Sequence, residues 1–174
     1  DTQGSRNTAV GFQALTTQNF STATDSLNTA VGYNAGVNVT TGIKNTLIGG
    51  IAGDALNDAD YNVAVGYGAL ETDTKGSKSV AIGYQALTTQ NFSSATDSRN
   101  TAVGYNSGAN ITTGTSNVTI GHASGDSLNV GNSNVAVGDL ALTLDTAGDR
   151  NVAIGFNALA DQNFTTSTDV YNTA

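Results

Sequence analysis

The sequence predicts an all-β protein, a parallel β-solenoid, and three observations carry that prediction. A five-residue phrase, Asn-(Thr/Val)-Ala-(Val/Ile)-Gly, recurs from one end of the 174 residues to the other. The Gly residues that close it are spaced 21, 17, 17, 17, 21, 17, 17 and 17 residues apart. Within the phrase, residues alternate with the period of two that marks a strand, and its Thr, Val and Ile suit a pleated surface. A supersecondary unit repeated at a fixed period, too thin to bury a core alone, is the signature of a stack of rungs.

The rungs follow in order. The phrase opens on Asn7, Asn28, Asn45, Asn62, Ser79, Asn100, Asn117, Asn134 and Asn151, and a tenth copy begins at Asn172. Its fourth position is always Val or Ile: Val10, Val31, Ile48, Val65, Ile82, Val103, Ile120, Val137 and Ile154. These are the expected core. Thr or Val two residues earlier shares their face, and Ala, replaced once by Leu47 and once by Thr119, takes the other. Both faces are small or apolar, the pattern of a strand covered on both sides. The Val/Ile face is expected to line the interior, which leaves the Ala face for the axis of a homo-oligomer. The phrase-opening Asn side chains are expected to form a ladder along the turn edge.

After each phrase a weaker strand is expected, from the alternation of Val37 and Val39 and of Ala109 and Ile111. A second Gly ten residues past the phrase (Gly42, Gly76, Gly114, Gly131, Gly148) then supplies a turn with positive φ. The longer rung always carries the same insert: Gln18-Asn19-Phe20-Ser21, Gln90-Asn91-Phe92-Ser93 and Gln162-Asn163-Phe164-Thr165. One long and three short rungs make a super-repeat of 72 residues, under which Asp1, Asp73 and Asp145 correspond. The chain therefore reads as one continuous solenoid segment, 1–174, of super-repeats 1–72 and 73–144 and a partial 145–174. Stopping within a phrase, it is expected to be a piece of a longer fibre.

Composition narrows the function. Only 11% of residues are charged, against about 25% in ordinary soluble domains. The net charge of −8 disfavours nucleic acid, whose phosphates call for clustered Lys and Arg. No apolar run reaches the ~18 residues of a membrane span. There is no Cys and one His, His122, so thiolate sites and multi-imidazole sites are excluded. His122 occupies the place that other rungs give to Phe12, Tyr33, Tyr67, Tyr84, Tyr105 or Phe156, so it reads as a member of an aromatic row. The recurring Asp25, Asp97 and Asp169 read as turn formers. No catalytic constellation, metal site or cofactor site is expected, and the protein is not expected to be an enzyme.

Ser79-Val80-Ala81-Ile82-Gly83, followed by Ala86, and its sister copies resemble the head repeats of trimeric autotransporter adhesins. The form Asn28-Thr29-Ala30-Val31-Gly32-Tyr33 is similar to repeats of phage and bacterial tail-fibre-like proteins. The resemblance covers the whole chain, although these rungs are longer than those of the adhesin heads. It implies a left-handed parallel β-roll, three chains about one axis, and an extracellular, cell-surface or virion-surface fibre used for attachment.

Two further features bear on function. Asn-x-Ser/Thr sequons stand at Asn19, Asn91 and Asn163 within the insert, and at Asn38 and Asn110, all repeating at the 72-residue period. They are candidate glycan attachment sites, whereas the sequon at Asn117 lies inside the ladder and is not. The aromatic row offers either structural stacking or a surface for a cell-surface glycan or protein receptor. The expected function is a rigid, self-associating fibre segment for surface attachment. The alternatives are a glycosylated filament assembled end to end without a dedicated receptor and, more remotely, ice binding.

Overall fold

The computed structural model describes residues 3–174, so Asp1 and its expected kinship with Asp73 and Asp145 lie outside the described residues. Each phrase contributes one strand of three residues. The nine strands run Thr8–Val10, Thr29–Val31, Thr46–Ile48, Val63–Val65, Val80–Ile82, Thr101–Val103, Val118–Ile120, Val135–Val137 and Val152–Ile154. They form one parallel sheet in chain order. Pairing is in register throughout, so Ala30 lies beside Leu47 and Ala64 beside Ala81. Thr173 extends the stack by a bridge to Val152. The described residues contain no helix. The chain is a β-solenoid of about ten turns, each rising about 4.8 Å.

The long rungs add small parallel pairs. Gly4–Ser5 meets Thr24–Asp25, Gly76–Ser77 meets Thr96–Asp97, and Gly148–Asp149 meets Thr168–Asp169. The weaker strand expected at Val37–Val39 and Ala109–Ile111 is absent, and that stretch of each rung is a run of turns. The cause is local. Asn34, Gly36, Asn106 and Gly108 all have φ between 52° and 59°, so the chain turns at every second residue instead of extending. Rung-to-rung bonding survives, as in Gly36 N–H to the Ala52 carbonyl at 3.0 Å and Thr40 N–H to that of Asn57 at 2.9 Å.

The face assignment read from the sequence is reversed. Ala30, Leu47, Ala64, Ala81, Ala102, Thr119, Ala136 and Ala153 are the residues sealed inside the roll. Val10, Val31, Ile48, Val65, Ile82, Val103, Ile120, Val137 and Ile154, expected as core, point out of it. Ile48 is 38% exposed and Val10, at the end of the stack, 57%. The reason is room. The opposite wall of each rung already fills the interior with a large side chain, and in most rungs the space left takes only Ala. That wall follows a complementary rule. Where Leu15, Leu70, Leu87 or Leu142 stands four residues past the phrase, the partner three further on is polar: Gln18, Asp73, Gln90 or Asp145. Where Gly36, Gly53, Gly108 or Gly125 stands there, the partner is Val39, Leu56, Ile111 or Leu128, all fully buried. Leu47 fits because a Cβ on Gly36 or Gly53 would come within 2.6 or 2.7 Å of its methyls.

The glycines serve close approach. The second Gly of a rung, expected at positive φ, does not adopt it. At Gly42 and Gly114 a Cβ would instead stand 2.4 Å from the carbonyl oxygen of the next rung. The phrase Gly needs both freedoms: Gly66 has φ +136° and its Cβ would fall 2.2 Å from the Gly83 oxygen.

Candidate functional site

Three longitudinal features result from stacking. The first is the Asn column inside the turn edge, where Asn28, Asn45, Asn62, Asn100, Asn117, Asn134 and Asn151 are buried and Asn7, in the first rung, is half-buried. Each side chain ties two neighbours together. Asn28 Nδ2 donates to the Gly42 carbonyl at 2.8 Å while its Oδ1 accepts the Asn45 N–H at 2.8 Å. Asn117 and Asn134 repeat both bonds. At Ser79 the column changes hands. Ser79 N–H still donates to Asn62 Oδ1, but the Ser79 hydroxyl meets that of Ser98 at 2.7 Å. Gln90 fills the remaining space. Its Oε1 accepts from Asn100 Nδ2 at 2.7 Å and its Nε2 donates to Asp73 Oδ2 at 2.5 Å. Asp73 Oδ1 caps the turn by accepting the Gly76 N–H at 2.9 Å. Burial pushes the Asp73 carboxyl above the usual carboxylate range, against the pull of these donors. Gln162 and Asp145 repeat the contact at 2.6 Å. The sequence contained this signal, a Gln in every insert 17 residues after an Asp, but the expectation for the insert stopped at its sequons.

The second feature is the outer face of the nine-stranded sheet. Its two outward rows hold only Thr, Val and Ile, with no charge in either. Beside it runs the aromatic row. Phe12 stacks on Tyr33 with centroids 5.5 Å apart, and Tyr67, Tyr84 and Tyr105 follow at 5.8 and 5.2 Å. His122 continues the stack on Tyr105 at 5.6 Å, and its Nδ1 lies 2.7 Å from Asp139 Oδ1. Gly50 and Asp139 interrupt the row. Tyr84 and Tyr105 are stacked on both faces, whereas Phe12, Tyr33 and Tyr67 carry a ring on one face each. On the other flank of the face stand five of the six cations, Arg6, Lys44, Lys78, Arg99 and Arg150, each just before a phrase. Asp25, Asp97 and Asp169, expected as turn formers, act as their counter-ions: Asp25 pairs with Arg6 at 2.8 Å, Asp97 with both Lys78 at 2.6 Å and Arg99 at 2.8 Å, and Asp169 with Arg150. Lys78 and Arg99 hold the Asp97 carboxyl below its ordinary value.

The third feature is the sequon set. Asn19, Asn38, Asn91, Asn110 and Asn163 are all exposed, while Asn117 is sealed in the column. In the insert the middle residue tucks in, with Phe20 and Phe92 buried, and leaves Asn and Ser outside. Among the described residues there is no group of three or more His, Asp or Glu placed to hold a metal ion. No helix of the described residues is long and apolar enough to cross a membrane.

The fold and these columns define a β-solenoid repeat protein. No protein-family model, curated protein or solved structure matches the chain.

Proposed function

We propose that the chain is a rigid structural segment of an extracellular fibre, used for attachment at a cell or virion surface, and that its copies associate through the outer Val/Ile face. The observation that carries this reading is that face: a charge-free strip of Thr, Val and Ile running the length of nine strands, with none of the described residues packed over it. Soluble chains rarely leave so continuous a strip uncovered unless it is an interaction surface. The resemblance to adhesin heads implies three copies about one axis, and the corrected facing puts Val and Ile there in place of Ala. A receptor, whether cell-surface glycan or protein, would meet surfaces that association leaves free. Light scattering on the purified chain tests the reading. It is expected to give a multiple of the chain mass that Ile48→Asp with Ile120→Asp reduces to one, and a wild-type monomer at every concentration would overturn it.

A second reading, a glycosylated filament assembled end to end, is supported by the exposure of all five candidate Asn side chains. Peptide mapping of material from its native source tests it. Sugar is expected on Asn19, Asn91 and Asn163, and bare side chains there would remove it.

A further inference from the structure

The outer face carries a pattern beyond its apolarity. From the second rung to the ninth, Val and Ile alternate without exception, from Val31 and Ile48 to Val137 and Ile154, and the Ile of each described pair stands prouder of the sheet. The face is thus a row of knobs and hollows with a period of two rungs, about 9.6 Å. Facing layers interdigitate when large residues lie over small ones. We propose that a second copy of this chain covers the face in an antiparallel two-fold sandwich, its two-fold axis running along the strand direction between Ile82 and Val103. The inference rests on the self-association reading and replaces the three-fold arrangement implied by resemblance with a two-fold one.

The geometry follows from symmetry. A two-fold along the rod axis lays the Val/Ile row over the Thr/Val row of its partner, whereas one along the strands lays each row over itself and reverses the rods. With that axis between the fifth and sixth rungs, every Ile of the eight rungs meets a Val: Val31 over Ile154, Ile48 over Val137, Ile82 over Val103. A closed, self-complementary contact of this kind is the commonest oligomer interface. Three faces meeting about one axis at equal heights would set Ile against Ile and Val against Val.

Two other rows agree with the same axis. In the Thr/Val row no Thr meets a Thr: Thr29 lies over Val152, Thr46 over Val135 and Thr101 over Val80. In the aromatic row the two interruptions coincide, Gly50 over Asp139, so that Tyr84 meets Tyr105 and every remaining ring meets a ring. Near the axis Lys78 and Arg99 of both copies approach, and each copy brings Asp97, which already bridges its own pair. Size is adequate. Eight rungs of about 4.8 Å by roughly 20 Å between the flanking columns give about 800 Å² per copy, the share of a standard stable interface.

The absence of Cys makes the register readable by cross-linking. Ile48→Cys and Val137→Cys are made as separate variants and mixed with a short bis-maleimide cross-linker, because facing sheets stand about 10 Å apart, too far for a disulfide, whose Cα atoms lie within ~7 Å. Like positions of the two antiparallel copies lie five rungs, about 24 Å, apart along the rod, beyond the reach of a linker that spans the ~10 Å between facing sheets. The proposal expects a covalent two-chain product from the mixture, none from either variant alone, and a wild-type mass of two chains. A product from Ile48→Cys alone, or a mass of three chains, overturns the two-fold while leaving self-association standing. A monomer at every concentration overturns both.

Discussion

Asn45 holds three rungs at once: its Nδ2 donates to the Ala59 carbonyl at 2.8 Å, its Oδ1 accepts the Asn62 N–H at 2.9 Å, and its own N–H donates to Asn28 Oδ1 at 2.8 Å. All of this happens in a fully buried position. Replacing Asn45 by Ala leaves the Ala59 carbonyl and the Asn62 N–H buried without these partners. At about 1–3 kcal/mol for each orphaned group, Asn45→Ala is expected to destabilise the chain by roughly 2–6 kcal/mol. Urea unfolding followed by circular dichroism measures it, and a loss below about 1 kcal/mol would show that the column is decorative.

Gly66→Ala tests the closeness of the rungs. The added Cβ would stand 2.2 Å from the Gly83 oxygen, at a φ that side chains rarely adopt. Nothing flexible can give way, since the obstacle is backbone. A loss above about 3 kcal/mol, or failure to fold, is expected, placing this among the diagnostic large effects. A Tm within a few degrees of the parent would contradict the approach of the two backbones.

The neighbouring prediction has the opposite sign. Gly50 is not held at positive φ, and only Tyr67 lies within 4 Å of its missing Cβ, at 3.2 Å or more. Gly50→Tyr is expected to complete the aromatic row between Tyr33 and Tyr67 and to stabilise by about 0.5–1.5 kcal/mol through ring stacking. Thermal unfolding of the variant beside its parent reads the difference. A lower Tm would mean that the Tyr67 ring cannot shift by the few tenths of an ångström required.

Asp73 gives a pH dependence of defined sign. Its folded-state pKa is raised by burial above the unfolded value, so the folded chain binds the proton more tightly. Stability from this group is therefore fully present below the unfolded carboxylate pKa and is lost as pH rises through the folded one. Asp73→Asn, which cannot ionise, is expected to lack this loss. Unfolding free energy of parent minus variant, followed from pH 3 upward, should fall across that window and then level. A difference that rises with pH would show that the Gln90 and backbone donors outweigh burial. Asp97, exposed and ion-paired, moves the opposite way and cancels in the comparison.

Much of the architecture was legible in the residues. The spacing of the phrase Gly residues placed all nine strands, because a stack of rungs admits no other way to keep Asn beside Asn and Gly beside Gly. The Asn column was equally readable, since only a side chain with both donor and acceptor can satisfy the rung on either side. The Gln90–Asp73 pair was legible in its spacing but gained meaning only when burial showed that an isolated carboxylate needed a donor there. The stretch at Val37–Val39, expected as a strand, is part of a run of turns, because alternating polarity cannot distinguish extended backbone from backbone that changes the sign of φ at alternate residues.

The sequence by itself determined the period, the parallel register and which residues share a face, for these follow from repetition and from the two-residue alternation of a strand. It left open which face turns inward. Both faces of Thr29–Val31 and its sisters are small or apolar, and hydrophobicity alone favoured Val and Ile for the interior. The tertiary structure decided otherwise for a steric reason. Leu70, Leu87, Leu142 and their counterparts Leu56, Ile111 and Leu128 reach in from the opposite wall, and the space that remains takes Ala in most rungs, with Leu47 and Thr119 accommodated where Gly53 and Gly125 clear room for them. The larger Val and Ile side chains are thereby turned outward, where they form the surface on which the proposed assembly depends.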